Sequence, residues 1–192
     1  MSHAHDLDPS RTARLAQLGW DDTFAAACQR LNADVDVEPA RVAIEFNHIY
    51  RVWTGEAEFG ASVSGRLKHQ ATRRSELPAV GDWVMVRRRP ADDQAAIVAV
   101  LPRRSWFSRK TAGTVTDEQI VAANVDVVFL AMALDGDFSA RRLERYVLLA
   151  RESGAAPVIL LTKPDLSTCL DGQMTDVREV SGEVAVHVVS PK

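Results

Sequence analysis

Val158-Ile159-Leu160-Leu161-Thr162-Lys163-Pro164-Asp165 decides how the second half of this 192-residue chain folds. Four apolar residues in succession suit a strand covered on both faces, which is the habit of parallel α/β sheets. The neighbouring segments agree. Val125-Asp126-Val127-Val128-Phe129-Leu130-Ala131 reads as an earlier strand buried on both faces, and residues 184–189 read as a later one. Between the first two, Ser139 can cap a helix over 140–153 with Leu143, Tyr146, Val147 and Ala150 on one face, and Gly154 ends it. A weaker helix over about 173–180 fills the second connection. The order βαβαβ predicts a parallel sheet with right-handed crossovers.

Upstream, the period changes to two. Val42, Ile44 and Phe46 alternate with Arg41, Ala43 and Glu45, which predicts a strand with one buried face. Further strand-like runs follow at 49–54, 56–63, 82–87 and 94–101, separated by Gly65, Pro78, Gly81 and Pro90. Short strands without intervening helices predict a small β-barrel of the OB-fold kind, an architecture that grips oligonucleotides. Ahead of it, residues 1–10 read as a frayed tail. Asp21-Asp22-Thr23 open a helix to about Leu31, and residues 32–39 form a polar acidic linker. The expected organisation is a tail and helix over 1–40, an OB-fold domain over 41–112, and an α/β region over 113–192.

Composition excludes several classes. A hydrophobic share of 46% is too high for wholesale disorder. No run of about 18 apolar residues is present, so no membrane span is expected, and the polar, acidic N-terminus does not read as a signal peptide. Cys28 and Cys169 are too few for a disulfide scaffold or a cysteine metal site, which points to the cytoplasm. The net charge of −3 conceals a division: residues 1–65 sum to −5, residues 66–110 to +7 and residues 111–192 to −5. The basic clusters Arg66/Lys68, Arg73/Arg74, Arg87/Arg88/Arg89 and Arg103/Arg104 make the barrel a candidate surface for RNA. Solubilising a strand end is the competing role for each. Trp53 and Trp106 could stack on bases, whereas Trp83, inside an apolar run, reads as core.

Ligands of open α/β sheets bind beyond the carboxyl ends of the strands. There stands Thr162-Lys163-Pro164-Asp165, an [NT]-Lys-x-Asp pattern of the kind that selects guanine. One carboxylate can accept both the ring N–H and the exocyclic amine of guanine, a paired contact that adenine cannot offer. The lysine stem can cover the face of the base. Asp165 could instead cap a helix, but the position directly after a buried strand favours guanine. Ser190, after the next strand, stands where a second base-contacting loop is expected.

The residues beyond this loop carry a wider likeness. Leu77-Pro78-Ala79-Val80-Gly81-Asp82-Trp83-Val84 precedes Leu101-Pro102-Arg103-Arg104-Ser105-Trp106-Phe107-Ser108-Arg109-Lys110. Ala122-Ala123-Asn124-Val125-Asp126, Asp135-Gly136-Asp137-Phe138 and Arg141-Arg142-Leu143-Glu144-Arg145-Tyr146 follow in order. Together with residues 162–166, these blocks resemble the ribosome-small-subunit-dependent GTPases, the circularly permuted GTPases of bacterial 30S maturation. The resemblance implies an OB domain that contacts 16S rRNA and a GTPase domain whose guanine loop precedes its P-loop. It also implies GTP with Mg²⁺ as the substrate complex, the 30S subunit as partner, and Zn²⁺ in a C-terminal domain. By position, Asp165 would read guanine, Lys163 would flank the base, Thr162 would stand where Asn is commoner, and Ser190 would join the second base loop. Pro191 has no N–H to offer the guanine carbonyl.

The 192 residues contain no Gly-Lys dipeptide, hence no GxxxxGK[ST], and no DxxG. The expectation is therefore the first half of a permuted P-loop GTPase domain, unable to hydrolyse GTP by itself. The strand at 125–131 is expected to keep an open apolar edge, which invites self-association. Two other readings stay open: a non-enzymatic RNA-binding OB module with an α/β appendage, and a flavodoxin-like protein for another nucleotide.

Overall fold

A computed structural model describes residues 9–31, 36–89, 94–110 and 118–190. They form two compact units, residues 1–124 and 125–192, so the division falls later than the 112/113 boundary expected from sequence.

The first unit is built on a closed barrel of β1 (Glu38–Phe46), β2 (Ile49–Trp53), β3 (Glu58–Val63), β4 (Trp83–Arg89) and β5 (Gln94–Val100). The strand order is β1-β2-β3-β5-β4, antiparallel throughout except for β3 against β5, so the OB-like barrel expected from the sequence is present. Val42, Tyr50, Val52, Phe59, Ala61, Val84, Val86 and Ile97 fill its interior. The β1–β2 connection is a two-residue turn at Asn47 and His48, both at positive φ (49° and 65°), the backbone that matches strand twist in tight hairpins.

One expectation for β1 fails. A register shift between Val42 and Ile44 breaks the alternation. Val42 points into the barrel, whereas Ile44 and Phe46 point out, with Phe46 70% exposed. A single extra residue in a strand reverses every later side chain, and period-two reading carries no signal for it.

β4 is apolar for a second reason. Its outward residues Trp83 and Met85 lie beneath α1 (Pro9–Gln17) and α2 (Asp22–Arg30), packed with Leu15, Trp20, Phe24 and Leu101. Trp83 is core, as its sequence context indicated; the Trp20 ring meets it edge-on at 4.8 Å. Cys28 lies on this layer with its Sγ 3.5 Å from Met85 Sδ. Asp21 caps α2 through Thr23 N and Phe24 N, as predicted. α1 replaces part of the expected tail: Pro9 suits a first helical position, but only Leu15 is fully buried, so the apolar pattern is too sparse to read. Residues 1–8 and 32–35, expected as tail and linker, lie outside the described residues, and β1 already begins at Glu38. A short α3 (Gly65–Gln70), capped by Ser64 and also not foreseen, places Leu67 against the barrel core.

A hairpin of β6 (Trp106–Lys110) and β7 (Glu118–Ala123), unforeseen from sequence, completes this unit. Buried Asn124 at its end fastens it to the barrel. Arg104 N donates to Asn124 Oδ1 (3.0 Å), Asn124 Nδ2 donates to Gly81 O (3.1 Å), and Arg41 Nη2 donates to Asn124 O (3.0 Å). Here the main chains approach closely. Gly81 lies at φ +87°, and a Cβ built on it would stand 2.1 Å from the Ala123 carbonyl oxygen.

The second unit is a three-stranded parallel sheet in the order β10-β9-β8, with β8 (Val127–Ala133), β9 (Ala156–Thr162) and β10 (Ala185–Val189). Between the strands run α4 (Ala140–Ser153), as predicted, and α5 (Leu170–Ser181), which starts earlier than expected. Leu143, Val147 and Val177 from the helices pack on Met132, Ile159 and Leu161. β8 is not buried on both faces as its sequence implied: Phe129 is 64% exposed and Val127 is also exposed. Strands added successively in one direction with right-handed crossovers put both helices on the same face. β8 lies at the sheet edge, as expected. Among the described residues, no helix is long and apolar enough to cross a membrane.

Gly81→Ala therefore lowers the stability of the barrel unit by at least about 2 kcal/mol, through both the positive φ and the backbone overlap. Urea unfolding followed by Trp fluorescence measures this; an unchanged midpoint contradicts the role given to Gly81.

Candidate functional site

In the second unit, the candidate residues gather at one sheet edge. Thr162, the last residue of β9, pairs with Val189 on one side and Ala133 on the other. Lys163 and Ser190 thus leave the sheet side by side, one residue beyond paired positions. The exit of β8 is fastened to that of β9, since Leu134 N donates to Thr162 O at 2.8 Å.

Lys163 has φ 54° and ψ 48°, a left-handed conformation that is uncommon in a residue with a side chain. The following Pro164 disfavours right-handed helical backbone at this position. A 3-10 turn, Pro164–Leu166, then carries Asp165, whose exposed carboxylate makes no hydrogen bond or ion pair with the described residues. Asp165 caps neither helix, because α5 starts at Leu170 with exposed Cys169 at its N-cap position. Ser190 is exposed, and Pro191 lies outside the described residues.

Sequence reasoning missed one member of this edge. The Lys163 ammonium meets Asp135 Oδ2 at 3.1 Å, with side chains 54% and 24% exposed. Asp135 Oδ1 accepts from Asp137 N at 3.0 Å. That backbone hydrogen bond, and then the Lys163 ammonium, hold the Asp135 carboxyl below the usual carboxylate range. The available signal was its place just past the end of a parallel strand.

On the barrel unit, the basic residues sort into two kinds. Arg66 and Lys68 on α3, Arg73 and Arg74 beside the 3-10 turn Arg74–Glu76, and Arg87 and Arg88 on β4 are exposed. Arg88 also covers the Phe59 ring (4.7 Å) and pairs with Glu38 (3.3 Å). The Arg89 side chain lies outside the described residues. Arg103 departs from its expected role as an RNA contact. Its Nε and Nη2 grip both oxygens of Asp82 (2.8 and 2.7 Å), and its remaining N–H groups reach Ser75 O and Leu77 O. Its side chain is 14% exposed and that of Asp82 0%. This guanidinium neutralises a buried carboxylate. Arg104 is partly engaged, paired with Asp21 at 2.6 Å and lying over Phe24 at 4.5 Å.

The outer barrel surface adds apolar groups. Phe46 and Ile49 stand opposite each other beside the β1–β2 turn, and Ile44 faces Arg51. Trp53 is half-exposed and donates from Nε1 to Glu58 Oε2 at 3.1 Å. Trp106 on β6 is similarly exposed.

Comparison with known proteins gives a consistent picture. The RsgA GTPase family model matches residues 100–192. The small ribosomal subunit biogenesis GTPase RsgA of Opitutus terrae is 44% identical over 184 residues, covering 92% of this chain and 50% of that protein. Among solved structures, YjeQ from Thermotoga maritima superposes with TM-score 0.58 at 22% identity, over 80% of this chain and 52% of the other. YloQ, described as a circularly permuted GTPase, gives TM-score 0.59 at 18% identity, over 81% and 52%. The chain thus shares their fold and spans about half the length of the relatives it matches.

Truncating Arg103 leaves the Asp82 carboxylate buried and unpaired. Arg103→Ala accordingly costs about 3–5 kcal/mol of barrel stability, whereas Arg73→Ala, at an exposed position, changes it by less than about 0.5 kcal/mol. Denaturant titration of both variants measures the difference, and equal effects contradict this division of the arginines.

Proposed function

Given that the chain belongs to the RsgA GTPase family, we propose that it supplies the guanine-reading edge and the RNA-binding barrel of a GTP-hydrolysing factor in small-subunit maturation. Its partners on this reading are guanine nucleotide, the 30S subunit and 16S rRNA, in the cytoplasm. The observation carrying the proposal is the convergence of Thr162, Lys163, Asp165 and Ser190 at the carboxyl edge of one parallel sheet.

In this reading the free Asp165 carboxylate accepts the guanine ring N–H and exocyclic amine, and the Lys163 stem covers the base. Adenine offers no matching pair of donors, so Asp165 would stay desolvated and unpaired against it. Mg²⁺ on the phosphates of the nucleotide would supply charge neutralisation. The sequence holds no GxxxxGK[ST] or DxxG to cradle those phosphates, so the residues described here account for base selection and not for phosphoryl transfer. These 192 residues by themselves are proposed to bind without hydrolysing. Zinc rests on the resemblance alone: among the described residues, no group of three His, Cys, Asp or Glu side chains could hold a metal ion.

For RNA, exposed Arg66, Lys68, Arg73, Arg74, Arg87 and Arg88 provide charge against phosphate, and Phe46, Trp53 and Trp106 provide faces for bases. The exposed basic and aromatic groups of the barrel also suit a second reading, a non-enzymatic RNA-binding module. Nucleotide selectivity separates the two.

Titration with fluorescent guanine and adenine nucleotides tests the base site. Guanine binds and adenine does not, and Asp165→Asn exchanges guanine preference for xanthine, whose carbonyl at that position pairs with an amide donor. Equal affinity for both bases supports the non-enzymatic module instead. For the barrel, Arg73→Ala with Arg74→Ala lowers the slope of log affinity against log salt for single-stranded RNA by about 0.7 per lost contact. An unchanged slope removes these arginines from the interface.

A further inference from the structure

We propose that Asp135 is a positioning residue for the guanine site: its carboxylate holds the Lys163 ammonium so that the lysine stem stands as a preformed wall for the base. The proposal rests on the reading of residues 162–165 as a guanine loop.

A lysine side chain has considerable rotamer freedom, which a wall must lose. If that loss occurs only on ligand binding, it subtracts from affinity; if a partner imposes it beforehand, the site is preorganised. The backbone of Lys163 is already restricted, by its left-handed conformation and by Pro164. Asp135 restricts the other end of the side chain, with Nζ 3.1 Å from Oδ2.

Asp135 is itself a fixed partner. Its Oδ1 accepts from Asp137 N at 3.0 Å, closing an Asx turn, and its carbonyl accepts from Phe138 N at 3.0 Å. The donation from Leu134 N to Thr162 O, at 2.8 Å, sets the spacing between the two loops. The carboxylate is the less exposed member of the pair and remains ionised well into acid, for the causes given above. Asp135 contacts the lysine through the tip and leaves the stem free to meet a base. Its role would be to act through Lys163 and not on the nucleotide.

The full chain is titrated with GDP and with ADP, following backbone amide NMR shifts, which also reports weak binding. Asp135→Asn keeps an oxygen acceptor for the Asx turn and replaces the carboxylate oxygen facing Lys163 with an uncharged amide donor. It weakens GDP binding about two- to fivefold, the range of a partly exposed ion pair, and leaves the preference for GDP over ADP unchanged. In a Lys163→Ala background the same substitution has no further effect, because the partner through which it acts is gone. An undiminished affinity in Asp135→Asn overturns the proposal, as does an equal loss in the Lys163→Ala background, which would mark a purely structural role. Asp165→Asn serves as the control on the underlying reading. If the wild-type chain shows no guanine preference, or Asp165→Asn does not abolish it, the guanine loop itself fails and the role of Asp135 falls with it.

Discussion

Ala133, Thr162 and Val189 stand opposite one another across three strands, and the geometry of the sheet's carboxyl edge follows from that register. Parallel strands joined by right-handed crossovers must all leave the sheet at the same end. Residues far apart in the chain, Asp135, Lys163 and Ser190, are thereby delivered to one line within one or two residues of a strand terminus. No side chain has to reach across the sheet. The same rule places α4 and α5 on a single face, so the helical layer that supports the edge also leaves Val127 and Phe129 uncovered on the other. The shared carboxyl edge and the exposed apolar face are two results of one connectivity.

The barrel depends on a different kind of constraint. Its interior follows ordinary alternation, but its attachment to the β6–β7 hairpin rests on polar groups with few alternatives. Asn124 satisfies Gly81 and Arg104, and Asp82 is bound by Arg103 and by Ala79 N. Buried polar groups of this sort are stabilising only when every member is paired. Their positions are consequently more restrictive than the apolar ones around them, where volume-conserving exchange is tolerated.

Much of this fold was legible in the sequence because it is encoded locally. The strand alternation, the Ser139 cap, the Gly154 stop and the loop after β9 each lie within a short window. The failures share a cause: each depends on a distant partner. A bulge near Ala43 turned Ile44 and Phe46 outward, and the sequence around it is an unbroken alternation. Arg103 belonged to a basic cluster by composition, yet Asp82, twenty-one residues earlier, had already claimed its guanidinium. α1 is held by one buried leucine and by an Arg11–Glu38 ion pair across to β1. At the site, the guanine-type tetrapeptide could be found by pattern alone. Asp135 carries no such pattern; its place just past the end of β8 marks it as a candidate, but its pairing with Lys163 depends on a partner 28 residues away.

The two thiols of the chain occupy contrasting settings, and the contrast has a practical side. Cys28 lies against Met85 beneath α2, and burial pushes its thiol above the usual range, which suppresses the thiolate that reacts. Cys169 is exposed at the start of α5, a few residues beyond Asp165. An alkylating dye offered in limiting amount therefore settles on Cys169 in preference to Cys28. The native sequence already carries a selective attachment point for a reporter beside the loop of residues 162–165, without any residue being engineered.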